Sequence, residues 1–195
     1  MLDYINGEVV ELTPASVVVE TGNLGYFIHI TLNTYTSLTG SRSCKLYLYE
    51  AIREDAHLLF GFSEKREREL FLHLISVSGV GANTARMVLS SIPPAELENV
   101  IASGNATALK SVKGIGGKTA ERIIIDLKDK VKITGGAAST IVSDPVSEEI
   151  AKEAVAALVM LGFNHAASLK VVQRIRKEAP ELQVEQIIKN ALKML

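Results

Sequence analysis

Two adjacent carboxylates, Glu54 and Asp55, are a first pair whose residue types could support chemistry. Paired carboxylates can hold Mg²⁺, which would suit a metal-dependent nuclease. Neighbouring residues of a strand point to opposite faces, however, and no further carboxylate cluster lies nearby in the sequence. A nuclease site and a solvated turn without a role both stay open at this point.

The other residues that commonly bind metals do not cluster. The four histidines are scattered without metal-ligand spacing, and the single cysteine, Cys44, offers no thiolate cluster for zinc. Outside the acidic pair we therefore expect no metal site, and we expect no cofactor and no catalytic residue as the leading interpretation. An unpaired cysteine also favours a reducing compartment. The histidines are His29, His57, His73 and His165.

The N-terminal sequence and the apolar runs bound the location of the chain. Residues 1–10 carry Asp3 and Glu8, where a signal peptide would need a basic patch and then an apolar run. The longest apolar stretch, residues 154–161, is too short to cross a bilayer. We expect a cytoplasmic protein without a membrane span.

A duplication around two Gly-x-Gly turns is the strongest signal in the sequence. Residues 74–85 align with residues 109–120 without a gap, so that the turn at 79–81 falls on the turn at 114–116. After each turn, apolar residues recur at the spacing of a helix that buries one face. Both copies therefore predict a helix, a tight turn and a second helix. The apolar positions are Ala85, Val88, Leu89 and Ile92, then Ala120, Ile123, Ile124 and Leu127.

A Gly-x-Gly turn before a helix suits phosphate binding. Glycine tolerates positive φ, and the middle aliphatic residue can anchor the turn to the core. Amides of the turn and of the helix start then face solvent, with the positive end of the helix dipole behind them. Such contacts read no base, so we expect sequence-independent DNA binding. The candidate residues are Gly79, Val80, Gly81, Asn83, Thr84, Lys113, Gly114, Ile115, Gly116, Gly117, Lys118, Thr119 and Arg122.

Other glycine motifs fail on spacing. A nucleotide-binding P-loop would need glycine five residues before Gly117, where Val112 stands. A dinucleotide fingerprint would need glycine at Thr84 and Thr119, and no strand is predicted before either turn. Plain helix–helix turns without a ligand would suit a single copy. Two copies in register favour a shared ligand.

The charge is unevenly distributed although the formal net charge is only −1. Residues 1–62 hold three cations and seven anions, whereas residues 105–132 hold seven cations and three anions. One segment can therefore attract a polyanion while another repels it.

The elements that must position these residues change along the chain. Residues 1–62 contain β-branched and aromatic runs punctuated by turn residues, which predicts a small closed β-barrel. Residues 63–132 predict a helical domain, with Ser63 as a candidate cap for its first helix. The charged run at residues 64–69 is expected to be a solvated helix face with an i,i+4 pair between Glu64 and Arg68, and contacts between subunits could also use it.

A linker and a small bundle follow. Residues 133–147 are rich in small residues and predict a flexible tether. Residues 148–195 predict three helices, the first capped by Ser147 and ending at Gly162, and the second starting at Asn164. Apolar residues near the end of the first helix are candidates for contact with a partner. They are Met160, Leu161 and Phe163.

The order of these parts resembles the RuvA family of Holliday junction-binding subunits along the whole chain. The resemblance rests on the barrel-like start, the segment at residues 53–62 with its Arg-Glu-Asp run, the paired turns, the Lys-Thr-Ala-Glu-Arg run at 118–122, the linker and the bundle. Paired hairpins alone occur in many repair proteins. The Arg-Glu-Asp segment between barrel and hairpins makes the resemblance specific.

The resemblance implies a mixed β and α architecture: an OB-fold barrel, an all-α tandem helix-hairpin-helix domain and a three-helix, UBA-like bundle. It implies a homotetramer, or a pair of tetramers, in which Glu54 and Asp55 form an acidic pin that repels phosphates. The implied partners are four-way junction DNA, the hexameric ATPase RuvB and the resolvase RuvC. The implied role is to hold a junction open, without catalysis, for branch migration in recombination and DNA repair.

The sequence departs from the family pattern at two positions. Asn83 and Gly117 stand where the resemblance leads us to expect a lysine or a similar cation after each Gly-x-Gly. We expect main-chain amides to carry more of the phosphate binding in this chain, together with Lys113, Lys118 and Arg122.

Overall fold

A computed structural model describes residues 1–131 and 145–195, with side chains at all of these except residues 145–149. The chain divides into two compact units, residues 1–136 and 137–195. The prediction of a linker falls mainly on residues 132–144, which lie outside the described residues. The domain boundaries drawn from the sequence stay predictions.

Five strands of the first unit close into the predicted barrel. They are β1 (Tyr4–Thr13), β2 (Ser16–Thr21), β3 (Leu24–Ile30), β4 (Ser43–Ile52) and β5 (His57–Phe62). The order around the barrel is β1-β2-β3-β5-β4, with β3 and β5 parallel and every other pair antiparallel. Alternating residues point inward and form a closed core. Its buried members are Ile5, Val17, Val19, Ile28, Ile30, Leu38, Cys44, Leu46 and Leu48.

Two elements of the barrel region were not predicted as such. A short helix, α1 (Leu32–Leu38), leads from β3 to β4, and the Thr31 hydroxyl caps it by accepting from Thr34 N at 3.0 Å. Residue spacing does not predict β5, because its apolar residues do not alternate with polar ones. The continuous apolar run is explained by burial of the last part of β5, where Phe60 and Phe62 contact the helices.

Five more helices lie in the described part of the first unit: α2 (Lys65–Ile75), α3 (Ala82–Ser91), α4 (Pro94–Ala102), α5 (Ala106–Lys110) and α6 (Gly117–Leu127). The pairs α2/α3 and α5/α6 are the two predicted hairpins, and α4 connects them. The expected Ser63 cap was wrong, because Glu64 is the N-cap residue of α2 and makes no side-chain capping bond.

The barrel and the hairpins share one hydrophobic cluster. The Phe71 ring of α2 lies 5.5 Å from the Phe60 ring and 4.9 Å from the Phe62 ring, between centroids. All three side chains are almost fully buried, and each such burial stabilises the fold by roughly 1.5–3 kcal/mol. The hairpins are therefore packed on the barrel rather than tethered to it.

The second unit is a bundle of three helices, α7 (Pro145–Met160), α8 (His165–Glu178) and α9 (Val184–Ala191), with its own core. Ser147 is not the cap of its first helix, because α7 begins earlier, at Pro145. Gly162 ends that helix with φ of +98°, as predicted. Asn164 caps α8, its side-chain oxygen accepting from Ala166 N at 2.9 Å.

Candidate nucleic-acid interface

The two Gly-x-Gly turns have the same backbone conformation. Gly79 and Gly114 take φ of +91° and +92°, in the left-handed region that glycine adopts most readily. Gly81 and Gly116 follow in extended conformations, with φ/ψ of −86°/168° and −81°/167°. The predicted helix, turn and helix is thus present twice, and the two turns agree closely in these angles.

The middle residue fixes each turn to the core. Val80 and Ile115 each expose only 5% of their surface. Their amides donate to Val77 O at 3.0 Å and to Val112 O at 3.1 Å. These two residues therefore act as anchors, and their own N–H groups are satisfied within the protein.

Free amides begin just beyond the anchors. Gly81 and Gly116 are exposed N-cap residues, and their carbonyl oxygens accept the first helical bonds of α3 and α6, both at 2.9 Å. Glycine has no side chain to cap with, and neither helix start has a side-chain capping bond from the described residues. The amides of residues 82–84 and 117–119 thus have no partner within their helices, and the positive end of each helix dipole lies behind them.

Each hairpin also touches the turn of the other. Met87 of α3 lies against the second turn, since a Cβ built on Gly114 would be 3.4 Å from Met87 Cε. Arg122 of α6 reaches the first turn, where its Nη1 donates a long hydrogen bond, 3.4 Å, to Ser78 O. Met87 and Arg122 occupy equivalent positions of the repeat. These reciprocal contacts hold the two turns next to each other.

The polar side chains of the candidate residues lie around both turns. Near the first turn, Asn83 is exposed and Thr84 is half-buried, and neither carries a charge. Near the second turn, Thr119 is half-buried like Thr84, and the exposed cations Lys113 and Lys118 belong to the same segment. The exposed Arg122 belongs to α6, but its guanidinium lies at the first turn, on Ser78 O. The second turn therefore carries two lysines of its own segment, whereas the cation at the first turn comes from the other hairpin.

A fourth cation, Lys110, was missed as a site residue. It is the last residue of α5, and its Nζ lies 3.6 Å from the place that a Cβ on Gly117 would occupy. Its nearest carboxylate is that of Glu121, with 3.8 Å between Nζ and Oε1. Composition indicates a basic segment here, but no sequence pattern aims this side chain at the turn.

Glu54 and Asp55 lie at the tip between β4 and β5. Both are exposed and belong to a bend, not to a strand, so the argument from opposite strand faces does not apply to them. The bend is closed by Arg53 N, which donates to Ala56 O at 2.8 Å. The tip can present both carboxylates to solvent together.

Buried polar contacts join the first hairpin to the barrel. Glu67 of α2 is fully buried and accepts hydrogen bonds from Thr31 Oγ1 at 2.6 Å and Thr34 Oγ1 at 2.9 Å. Burial raises the pKa of Glu67, although these bonds act in the opposite direction. Arg86 of α3 donates to Ala15 O at 3.0 Å. No sequence pattern indicated these contacts.

Half of the predicted solvated face at residues 64–69 is exposed, at Glu64, Lys65 and Glu69. The prediction was wrong for Arg66, Glu67 and Arg68. Arg68 pairs with Asp3 of the barrel, at 2.6 Å between Nη1 and Oδ1, and not with Glu64. Arg66 binds Glu98 of α4 through two hydrogen bonds, one of them 2.7 Å from Nε to Oε1. Periodicity does not distinguish a charged face that meets water from one that meets another element.

In the second unit, the predicted partner residues divide into two kinds. Met160 and Leu161 expose 89% and 60% of their surface at the end of α7. Phe163 is half-buried and packs against the core of the bundle. Two of the three candidates are thus exposed at the end of α7, whereas the third packs against the bundle.

Two further observations bear on other functions. Within the described residues, no group of three or more histidine, cysteine, aspartate or glutamate side chains is arranged to hold a metal ion. In the same part of the chain, every helix is too short or too polar to traverse a lipid bilayer.

Known proteins resemble this chain along its full length. The chain matches the RuvA N terminal domain over residues 1–61, a SAM-like helix-hairpin-helix tandem over 71–129 and the RuvA C-terminal domain over 149–195. It is 60% identical to a protein of Azobacteroides pseudotrichonymphae, 59% to one of Parabacteroides distasonis and 56% to one of Bacteroides fragilis, each over 100% of both chains. All three are named Holliday junction branch migration complex subunit RuvA. The chain therefore belongs to the RuvA family.

Proposed function

We propose that this chain binds a four-way DNA junction and presents it to a branch-migration motor. The observation that carries the proposal is the pair of turns with matching backbones, each followed by a helix start without a side-chain cap. Phosphodiester oxygens are acceptors that suit such a cluster of amides. The names of the relatives support a Holliday junction as the form of DNA that is bound.

Binding at the turns is independent of base sequence in this proposal, because amides and cationic side chains contact phosphates and not base edges. Lys113 and Lys118 add charge at the second turn, whereas Asn83 and Thr84 are neutral at the first. The charge at the first turn comes from Arg122 of α6. Added salt should therefore weaken binding more through the second turn than through the first. The net charge of −1 does not oppose DNA binding, because the excess of anions lies in residues 1–62.

Selectivity for a junction is assigned to Glu54 and Asp55. Their exposed place at the tip between β4 and β5 leaves both carboxylates free to meet DNA. In a four-fold symmetric tetramer, four such tips would gather near the axis, repel phosphates and hold the strands apart. One tetramer, or a pair of them, would then hold the crossover in an open form.

The C-terminal bundle is assigned to the motor. Exposed apolar residues such as Met160 and Leu161 mark contact surfaces, and the neighbouring Phe163 packs against the core of the bundle. The partner in this proposal is the hexameric ATPase RuvB, which supplies the motion, while the present chain carries out no catalytic step. The resolvase RuvC would act on the same junction.

Competition between DNA forms tests the proposal. A labelled four-way junction bound by the full chain should be displaced well by unlabelled junction and poorly by linear duplex of equal length. A Glu54→Gln/Asp55→Asn variant should narrow this preference by binding duplex more tightly, since repulsion is removed. Equal displacement by junction and duplex with the unaltered chain would overturn the proposal.

Incubation with Mg²⁺ separates binding from cleavage. The full chain should leave labelled junction strands intact. Strand scission that is lost in Glu54→Gln would identify the acidic pair as a nuclease site and would contradict a non-catalytic role.

The surface assigned to the motor has its own test. Met160→Asp should reduce stimulation of the ATPase partner and leave junction affinity unchanged. Leu169→Asp places the same charge on an exposed apolar residue of α8 and is the matched control. Equal losses of stimulation in the two variants would contradict the assignment.

A further inference from the structure

The second turn lacks a side chain at residue 117, and the side chain of another residue lies beside that position. The residue after its Gly-x-Gly is Gly117, which offers no cation. A Cβ built on Gly117 would lie 3.3 Å from Lys110 Cε and 3.6 Å from Lys110 Nζ. The end of the Lys110 side chain therefore lies in contact with the point where a side chain of residue 117 would begin. A large side chain at 117 and Lys110 in its present position exclude each other.

The ammonium of Lys110 is held loosely. Glu121 lies one turn further along α6, and its Oε1 is 3.8 Å from Lys110 Nζ. The two side chains expose 44% and 64% of their surface, and exposed pairs of this kind stabilise a protein by at most about 1 kcal/mol. A stronger anion can replace Glu121 as the partner of Lys110 at little cost.

The position of this ammonium is electrostatically unfavourable until an anion binds. The start of a helix carries partial positive charge from its free amides, which disfavours a nearby cation. Lys113 and Lys118 are also exposed close to the turn, so Glu121 alone does not balance the local charge. A phosphate would be attracted by the amides and the ammonium together.

The first turn has no such arrangement. The residue equivalent to Lys110 in the repeat is Ile75, and the residue equivalent to Gly117 is Ala82. Both line a groove between the first turn and β4, which Glu50 and Arg53 of the barrel also line. A lysine of the preceding helix next to the helix start is therefore found in the second copy of the repeat and not in the first.

We propose that Lys110 supplies the side-chain cation that Gly117 lacks, and that its ammonium binds the same DNA phosphate as the free amides of α6. The inference rests on the proposed DNA-binding function of this turn. It adds a DNA-binding residue that comes from the preceding helix α5, and it makes Glu121 a competitor that the phosphate displaces.

Moving the cation from residue 110 to residue 117 tests the inference in the full chain. Lys110→Ala should weaken junction binding at low salt by about tenfold, the size expected for one charge-assisted hydrogen bond. The slope of log affinity against log salt should fall by about 0.9 for each phosphate that is no longer neutralised. Lys110→Ala/Gly117→Lys should restore both, because the first substitution clears the space that the new lysine needs.

A matched control separates a local effect from total charge. Lys128→Ala removes the same charge at the far end of α6, about 16 Å from Gly117 at about 1.5 Å per residue, and should change binding much less. Glu121→Gln should strengthen binding, because it removes the competing carboxylate. Thermal unfolding of each variant verifies that the fold is intact.

The outcomes distinguish this inference from the function on which it rests. If Lys110→Ala behaves like Lys128→Ala, or if Gly117→Lys does not restore the affinity, the inference is wrong, although the unaltered chain still prefers a junction. If the unaltered chain shows no preference for a junction over duplex, the proposed function itself fails.

Discussion

The two hairpins combine one backbone with two different surroundings. Gly79 and Gly114 take nearly the same φ, +91° and +92°, and both anchors expose 5% of their surface. The polar residues around them are nevertheless unlike. The comparison teaches that glycine and a buried aliphatic residue determine the turn, whereas the exposed positions around it determine how strongly it attracts an anion.

The charge difference follows the repeat position by position. Each cation of the second copy, up to residue 122, has a neutral counterpart in the first copy, and the acidic Glu121 corresponds to Arg86. Arg86 does not restore the balance, because it donates to Ala15 O of the barrel. The neutral and cationic counterparts are Ile75 and Lys110, Ser78 and Lys113, Asn83 and Lys118, and Met87 and Arg122.

The two hairpins also differ in how they are attached to the barrel. Within the described residues, the hydrogen bonds that join helices of the tandem to the barrel region come from α2 and α3, through residues such as Glu67, Arg68 and Arg86. The first hairpin is thus positioned by the barrel and its acidic tip. The second hairpin is positioned by the first, through Met87 and Arg122.

Truncating the anchors should give the largest effect and tests whether the turns are equivalent. Ile115→Ala should cost about 2–5 kcal/mol of unfolding free energy, and Val80→Ala, which removes fewer atoms, should cost less. Tyrosine fluorescence during urea unfolding follows the first unit alone, because all five tyrosines lie there. Leu158→Ala in the bundle should leave this transition unchanged. A negligible loss of unfolding free energy in either variant would show that the two turns are not equivalent.

Exchanging the side chains of Asn83 and Lys118 should give an intermediate effect. Asn83→Lys should steepen the salt dependence of junction binding by about 0.9 per phosphate newly neutralised, and Lys118→Asn should flatten it by as much. The double variant Asn83→Lys/Lys118→Asn should return the slope to its original value, because it conserves the total charge and moves one cation from the second turn to the equivalent position of the first. An unchanged slope in Asn83→Lys would show that residue 83 does not face a phosphate.

The smallest expected effect concerns the attachment of the first hairpin. Burial raises the pKa of Glu67 above its ordinary value of 4.5, so the folded state binds a proton more tightly than the unfolded state. This group therefore favours folding at low pH, and that contribution is lost as the pH rises from 4.5 through the raised pKa.

Urea unfolding at several pH values checks this sign. Glu67→Gln should lose less stability than the unaltered chain as the pH rises through that window. Glu69→Gln, which alters an exposed carboxylate of the same helix, should follow the unaltered chain. Parallel curves for all three proteins would contradict a raised pKa at Glu67.

The sequence was sufficient for features that depend on local spacing. The duplicated turns, the closed barrel and the bundle of three helices follow from glycine positions and periodic apolar residues, and the fold class is confirmed. Features that depend on tertiary contact were missed. Glu67 and Arg68 appeared solvated because periodicity shows which residues share a face, but not what covers that face.

Lys110 illustrates the same limit at the candidate site. The basic segment could be recognised from composition alone. The direction of this side chain depends on how the short α5 packs beside α6, and only the structure shows it next to Gly117. Sequence spacing located the turns, but it did not identify all the groups around them.

Removing one amide from the first turn tests the central claim most directly, because residues 74–85 carry no cation of their own. Ala82 is the first residue of α3, and Gly81 before it is extended, so the backbone there accommodates proline, which removes the N–H group. Ala82→Pro should weaken junction binding by about tenfold or more, with the tyrosine-monitored stability retained. His165→Pro, at the first position of α8, is the control. Unchanged junction affinity in a folded Ala82→Pro protein would contradict the claim that main-chain amides hold the phosphate.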